Sequence, residues 1–157
     1  MGLIERARSG IEMFIKAARF TNPAAVTLTL KKRDKARSVD QIVATENFRH
    51  FRNRLDHTLL GTKAKRYGRR LRILAVLEMS SDQRWHYHCI IERPYHCSFE
   101  SFCQAICDQW QRTDFGYSQI NIQDQADDGW TNYILKERQK SSLLDAIDWE
   151  NSYLIAE

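Results

Sequence analysis

Proline is nearly absent from this chain. Its two prolines, Pro23 and Pro94, fall between patterned segments, so neither argues against a helix or strand. No Gly/Ser/Pro-rich stretch, low-complexity tract or internal repeat stands out, which speaks against linked modules or a solenoid. No run of about 18 apolar residues exists, which excludes a membrane-spanning helix, and the N-terminus lacks a secretion-signal pattern. There is no GxxxxGK[ST] loop, so the chain carries no P-loop motor of its own. What is present suffices for one soluble domain: 157 residues, 43% hydrophobic, can bury a core without disulfides. Four cysteines, at 89, 97, 103 and 107, suggest a reducing compartment.

The most informative segment is the apolar run 85–91, which holds His86 and His88 with a single residue between them. Side chains alternate faces along a strand, so the two imidazoles project together while Tyr87, Cys89 and Ile91 project oppositely. Residues 71–78 read as a preceding strand and 80–83 as a turn, so the two segments form an antiparallel hairpin. With an odd loop, Glu78 lies opposite His86 or His88 on the same face. One carboxylate and two imidazoles would suit Mn²⁺ or Mg²⁺ engaged with phosphate, with Zn²⁺ as an alternative. The plainer alternative is two surface histidines and a charge that ends a strand.

Downstream, acidic Asp127 and Asp128 precede a segment ending in Lys136, Arg138 and Lys140, a charge order that complements a helix dipole. On a helix over 128–140, Tyr133 and Lys136 share a face, with Trp130 and Ile134 forming an apolar stripe beside them. A phenol and an ammonium there could act as nucleophile and phosphate-charge stabiliser.

Net charge is +4, but it is unevenly distributed: residues 31–72 hold 14 Lys/Arg against 4 Asp/Glu, and residues 98–157 hold 4 against 11. Such a basic block suits a phosphate backbone, with a solvated helix face as the alternative. Candidate nucleic-acid contacts are Lys31, Lys32 and Arg33, then Lys63, Lys65, Arg66, Arg69 and Arg70 in a basic loop, with Tyr67 able to stack on a base. Between them, the pattern from Ser38 to Gln41 reads as a capping box. Ile42, Phe48, Phe51, Leu55 and Leu59 then recur at helical spacing, with Arg49, Arg52 and Arg54 outside the core. His96, Cys97, Cys103 and Cys107 could assemble a zinc site, but Cys103 and Cys107 also fit the apolar side of a helix over 98–111 as buried thiols.

The expected order is helix (3–19), strand (25–31), helix (39–60), strands (70–78 and 84–92), helix (98–111), strand (117–123) and helix (128–140), with a further helix possible after Ser142. This is an α+β fold: an antiparallel sheet of four to five strands with a βαββαβ, ferredoxin/RRM-like core and helices packed on it. An N-terminal helix and a C-terminal helix carrying the tyrosine are added. The same fold serves as a single-stranded RNA platform, so fold alone does not give function.

Together the motifs resemble the HUH endonucleases, specifically the single-tyrosine rolling-circle replication initiators (Rep). The strand 25–30 resembles the first family motif. His86 and His88 match the histidine–hydrophobe–histidine motif, with Glu78 where many members carry a third ligand. Tyr133 and Lys136 match the tyrosine–x–x–lysine helix. Lys136 and Glu137 stand where two-tyrosine members place a second tyrosine, and Tyr153 is too distant to serve. The strand 25–30 runs into Lys31, Lys32 and Arg33, a more basic ending than usual.

The resemblance covers about residues 24–140 and implies a single endonuclease domain over 1–157. It implies metal-assisted nicking and joining of single-stranded DNA or an origin hairpin, with Tyr133 forming a 5′-phosphotyrosine and freeing a 3′-hydroxyl. It implies Mn²⁺ or Mg²⁺ held by Glu78, His86 and His88, and a host helicase and polymerase as partners. No membrane or small-molecule substrate is implied. A cytoplasmic site, or the nucleus for a protein of a eukaryotic virus, would follow. Two alternatives are a single-tyrosine transposase of the same superfamily and a non-catalytic single-stranded nucleic-acid-binding module.

Overall fold

A computed structural model describes Gly2, residues 20–127, Gly129, Trp130, Tyr133 and residues 146–154. The expected N-terminal helix, Lys136 and most of the tyrosine helix lie outside the described residues.

The chain is α+β, with a four-stranded antiparallel sheet ordered β4-β5-β1-β6. The strands are β1 (Pro23–Leu30), β4 (Ile73–Met79), β5 (Trp85–Glu92) and β6 (Gly116–Gln123). A small hairpin, β2 (Arg33–Asp34) with β3 (Arg37–Ser38), follows β1. The helices are α1 (Gln41–Leu60), α2 (Thr62–Tyr67) and α3 (Phe99–Gln111). Strand alternation sorts β1 into two sets. Ala24, Val26, Leu28 and Leu30 enter the main core, where Phe48, Phe51 and Leu55 of α1 meet Phe102, Ile106 and Trp110 of α3. On the other face, among the described residues, lies a second cluster of Leu74, Val76, Ile90, Ile147 and Leu154.

Several expectations change. Asp40, not Ser38, caps α1, its carboxylate accepting from Val43 N–H at 2.8 Å. The expected basic loop over 62–70 contains the short helix α2, which Gly68 ends in the left-handed conformation. Ile42, expected on the apolar stripe, is 70% exposed, while Arg52, expected outside, is 0% exposed. Its guanidinium donates to the carbonyls of Asn151 and Leu71 and stands 3.6 Å from Asp56, so those acceptors draw it inward. Cys103 and Cys107 are only half-buried, and Cys89 is the deeply buried thiol.

Residues 147–154, placed in a possible further helix, instead touch the free edge of β4 at two points with a turn over 149–151 between them. Isolated bridges join Ile73 to Tyr153 and Val76 to Ile147, so the segment satisfies backbone groups that the sheet edge would leave open. Asp148 accepts from the Tyr87 hydroxyl at 2.7 Å, tying this strap to β5 through the core.

Candidate functional site

The hairpin β4–β5 places Glu78 directly opposite His86, and Val76 opposite His88. All three polar side chains therefore project from the sheet face opposite the main core, and His88 Nε2 lies 3.3 Å from a Glu78 carboxylate oxygen. The two imidazole rings are nearly parallel, 6.4 Å apart.

Strand β1 holds both rings from behind. Thr27 pairs with His88 and Thr29 with His86, and each hydroxyl meets its partner's Nδ1, at 3.3 and 3.1 Å. A contact at one ring nitrogen fixes the ring plane and directs the other nitrogen, Nε2, outward. These threonines are functional-site residues that sequence reasoning missed. Period-two alternation puts them on one face of an apolar strand, but only the β1–β5 register shows which histidine each would meet.

The Nε2 atoms have different neighbours. His88 faces Glu78, whereas His86 Nε2 lies 3.0 Å from the Ser80 hydroxyl, which the turn after β4 presents. Burial pulls the His86 pKa below the ordinary histidine value, against the upward pull of Asp82 and Glu78. His86 is therefore a neutral ring at pH 7 with a lone pair to offer.

Among the described residues, no three His, Cys, Asp or Glu side chains gather closely enough to hold a metal ion as they stand. The donor chemistry nevertheless fits one: a carboxylate and two imidazoles whose Nδ1 atoms are already engaged. His88 Nε2 is the nitrogen that meets Glu78, while His86 Nε2 meets Ser80.

Tyr133 lies over this face. Its ring packs 5.6 Å from that of His88, edge to face, and stacks on Trp130 at 5.3 Å and 12°. Trp130 is pinned in turn, its indole N–H donating to the Cys89 carbonyl at 3.0 Å and its backbone N–H to the Asp127 carboxylate at 2.9 Å. Tyr133 is half-buried.

The basic residues divide into two groups. Lys31, Lys32 and Arg33 leave β1 at the end where Thr29 meets His86. Lys63, Lys65, Arg66, Tyr67 and Arg69 are exposed at the other end of α1, beside the start of β4. Arg70 is half-buried there, 3.6 Å from Asp56. A 20-residue helix separates the groups by about 30 Å, so the two cannot touch one phosphate.

A model of the family described as replication-associated protein ORF2/G2P matches residues 23–142, most of the chain and the whole of this site. The chain belongs to that family. Membership links it to DNA replication and to interaction with DNA. No curated protein and no solved structure matches it. Among the described residues of this replication-associated chain, no helix is long and apolar enough to cross a membrane.

Proposed function

We propose that this replication-associated chain is a single-tyrosine HUH nickase that initiates replication by cutting and rejoining single-stranded DNA. The observation that carries the reading is the convergence of Glu78, His86 and His88 on one sheet face with the Tyr133 ring against His88. The inner position of β1 and β5 in the sheet supports the ferredoxin-like arrangement expected with it.

In this reading Tyr133 is the nucleophile. Its phenolic oxygen bonds to phosphorus, the 3′ oxygen leaves in line, and the 5′ phosphate stays on the tyrosine. The phenol gives up one proton and the departing 3′ oxygen takes one up, so the proton count is unchanged. Ester energy is retained in the phosphotyrosine, so the free 3′-hydroxyl can prime synthesis and later reseal the strand. Trp130 holds the phenol ring over the sheet, and Thr27 and Thr29 hold the imidazole planes. Glu78, His86 and His88 would hold a divalent cation, Mn²⁺ or Mg²⁺, which when bound supplies neutralisation of charge on the phosphate oxygens. Lys136 is assigned phosphate-charge stabilisation, and Lys31, Lys32 and Arg33 backbone contact near the cut.

The deciding experiment incubates the protein with Mn²⁺ and a pool of labelled single-stranded oligonucleotides, followed by a denaturing gel. A covalent adduct is expected, lost in Tyr133→Phe with DNA binding retained and lost on chelation. Adducts that survive Tyr133→Phe refute the assignment. A second reading, a non-catalytic single-strand-binding module, is favoured by the lack, among the described residues, of a gathered three-ligand group, with His86 Nε2 meeting Ser80. Binding of the same pool with no adduct in any sequence supports it.

A further inference from the structure

The far end of α1 carries a feature that the cutting chemistry does not use. A cavity of about 440 Å³ opens there, lined by Leu60, Lys63, Arg69, Pro94, Tyr95 and His96. Tyr95 is 96% exposed and Tyr67, on the neighbouring α2, is 72% exposed. Solvent-facing aromatic rings beside cations are the ordinary equipment of a single-strand platform, because every base offers a ring face for stacking. The side of the cavity formed by the end of α1 and by α2 is of one charge: residues 57–72 hold 6 Lys/Arg and no Asp or Glu. Asp56 is engaged by Arg52 and Arg70, and Glu92 by Arg72 at 3.2 Å. The field at the cavity mouth is therefore positive and suits a phosphate.

The position of the cavity is as informative as its chemistry. Backbone bonds from Glu92 to Arg72 and from Arg93 to Asn22 place it at the end of the sheet opposite Thr29, His86 and Ser80. From His88 the strand β5 runs four residues to Glu92, about 13 Å at about 3.3 Å per residue, so a DNA strand held at His88 must continue for at least about four nucleotides at stacked spacing to reach it.

We propose that this cavity is a second single-stranded DNA site. An unpaired base stacks on Tyr95 against the apolar wall of Leu60 and Pro94, and its flanking phosphates meet Lys63 and Arg69. The site would hold the strand away from the cut, so that a nicked end stays on the protein by its second attachment while the first exchanges. The proposal rests on the reading of the chain as acting on unpaired DNA, but its test reads binding and needs no cleavage.

The test is fluorescence anisotropy with a labelled 24-nucleotide single strand of mixed sequence and the matching 24-base-pair duplex, across a salt series. Tyr95→Ala should weaken single-strand binding at least about fivefold with the salt slope unchanged, since stacking carries no counterion release. It should leave duplex binding unaltered. Lys63→Ala/Arg69→Ala should flatten the single-strand slope of log K against log salt by about 1.4, two phosphates at roughly 0.7 each. Adducts at Tyr133 on a short oligonucleotide should persist in both variants. Unchanged single-strand affinity in Tyr95→Ala would overturn the proposal. So would a loss of duplex binding as large as the loss of single-strand binding. If Tyr133 forms no adduct with any substrate, the nickase reading fails while these binding arms still decide the second site.

Discussion

Replacing Arg52 by Met tests how the strap is held beside β4. The guanidinium is fully buried, donates to the Asn151 and Leu71 carbonyls, and faces Asp56 at 3.6 Å. Burial outweighs the attraction of Asp56 and lowers its pKa from 12.5 to about 10. A charge so placed lies about 3 kcal/mol less favourably in the fold than in water, at about 1.4 kcal/mol per pKa unit. The pair is therefore no net source of stability; its value lies in what it keeps satisfied. Met at this position removes the donor to two buried carbonyls and leaves Asp56, among the described residues, with Arg70 and the Leu71 N–H, which donates at 2.9 Å. Breaking a buried pair in this way costs about 3 kcal/mol or more. For a chain of this size, that corresponds to a fall in Tm of roughly 10 °C. Urea denaturation of Arg52→Met, Asp56→Leu and the double variant supplies the numbers. The double variant should recover at least about 1 kcal/mol relative to the sum of the singles, because no unpaired charge then stays buried. An Arg52→Met protein within about 0.5 kcal/mol of the parent would refute the argument and make the side chain a solvated one. The same variant loosens Asn151, and with it the Ile147–Leu154 cluster against which Tyr133 packs, so adduct formation should fall as well.

Other expectations are local. Thr27→Val and Thr29→Val remove the hydroxyls behind the imidazoles, and each should weaken Mn²⁺ binding about tenfold by titration calorimetry, with little change in fold; equal affinities would remove the orienting role. Trp130→Ala should slow adduct formation without changing single-strand affinity, and Trp130→Phe should restore part of the rate by keeping a ring under Tyr133; equal rates in all three would rule out positioning. Gly116→Ala should destabilise the fold by about 3 kcal/mol in thermal or urea unfolding, since its Cβ would come 1.8 Å from the Trp110 carbonyl oxygen where β6 crosses the β1 irregularity; a stable variant would show that the backbone yields there.

The elements were legible wherever one periodicity dominated. The strands around Val26, Val76 and Cys89 and the helices around Phe51 and Ile106 emerge within a few residues of their expected bounds, because burial of one face imposes its period on the sequence. Helix α2 was hidden because exposed Lys63, Lys65 and Arg66 carry no apolar rhythm, and the strap because its order comes from β4, far away in the chain. Arg52 was misjudged for a related reason: helical spacing says which way a side chain leaves its axis, not whether two carbonyls wait there.

By itself, then, the sequence determined that His86 and His88 share a face, that Tyr133 follows them in the chain, and that basic residues cluster before β4, since alternation and order are properties of the chain. Only the tertiary structure decided that Glu78 lies opposite His86, that Thr27 and Thr29 stand behind the imidazoles, that Ser80 meets His86 Nε2, and that α1 divides the basic block between two ends of the molecule. Pairing register and the direction of a side chain depend on contacts between segments tens of residues apart, which no local pattern encodes.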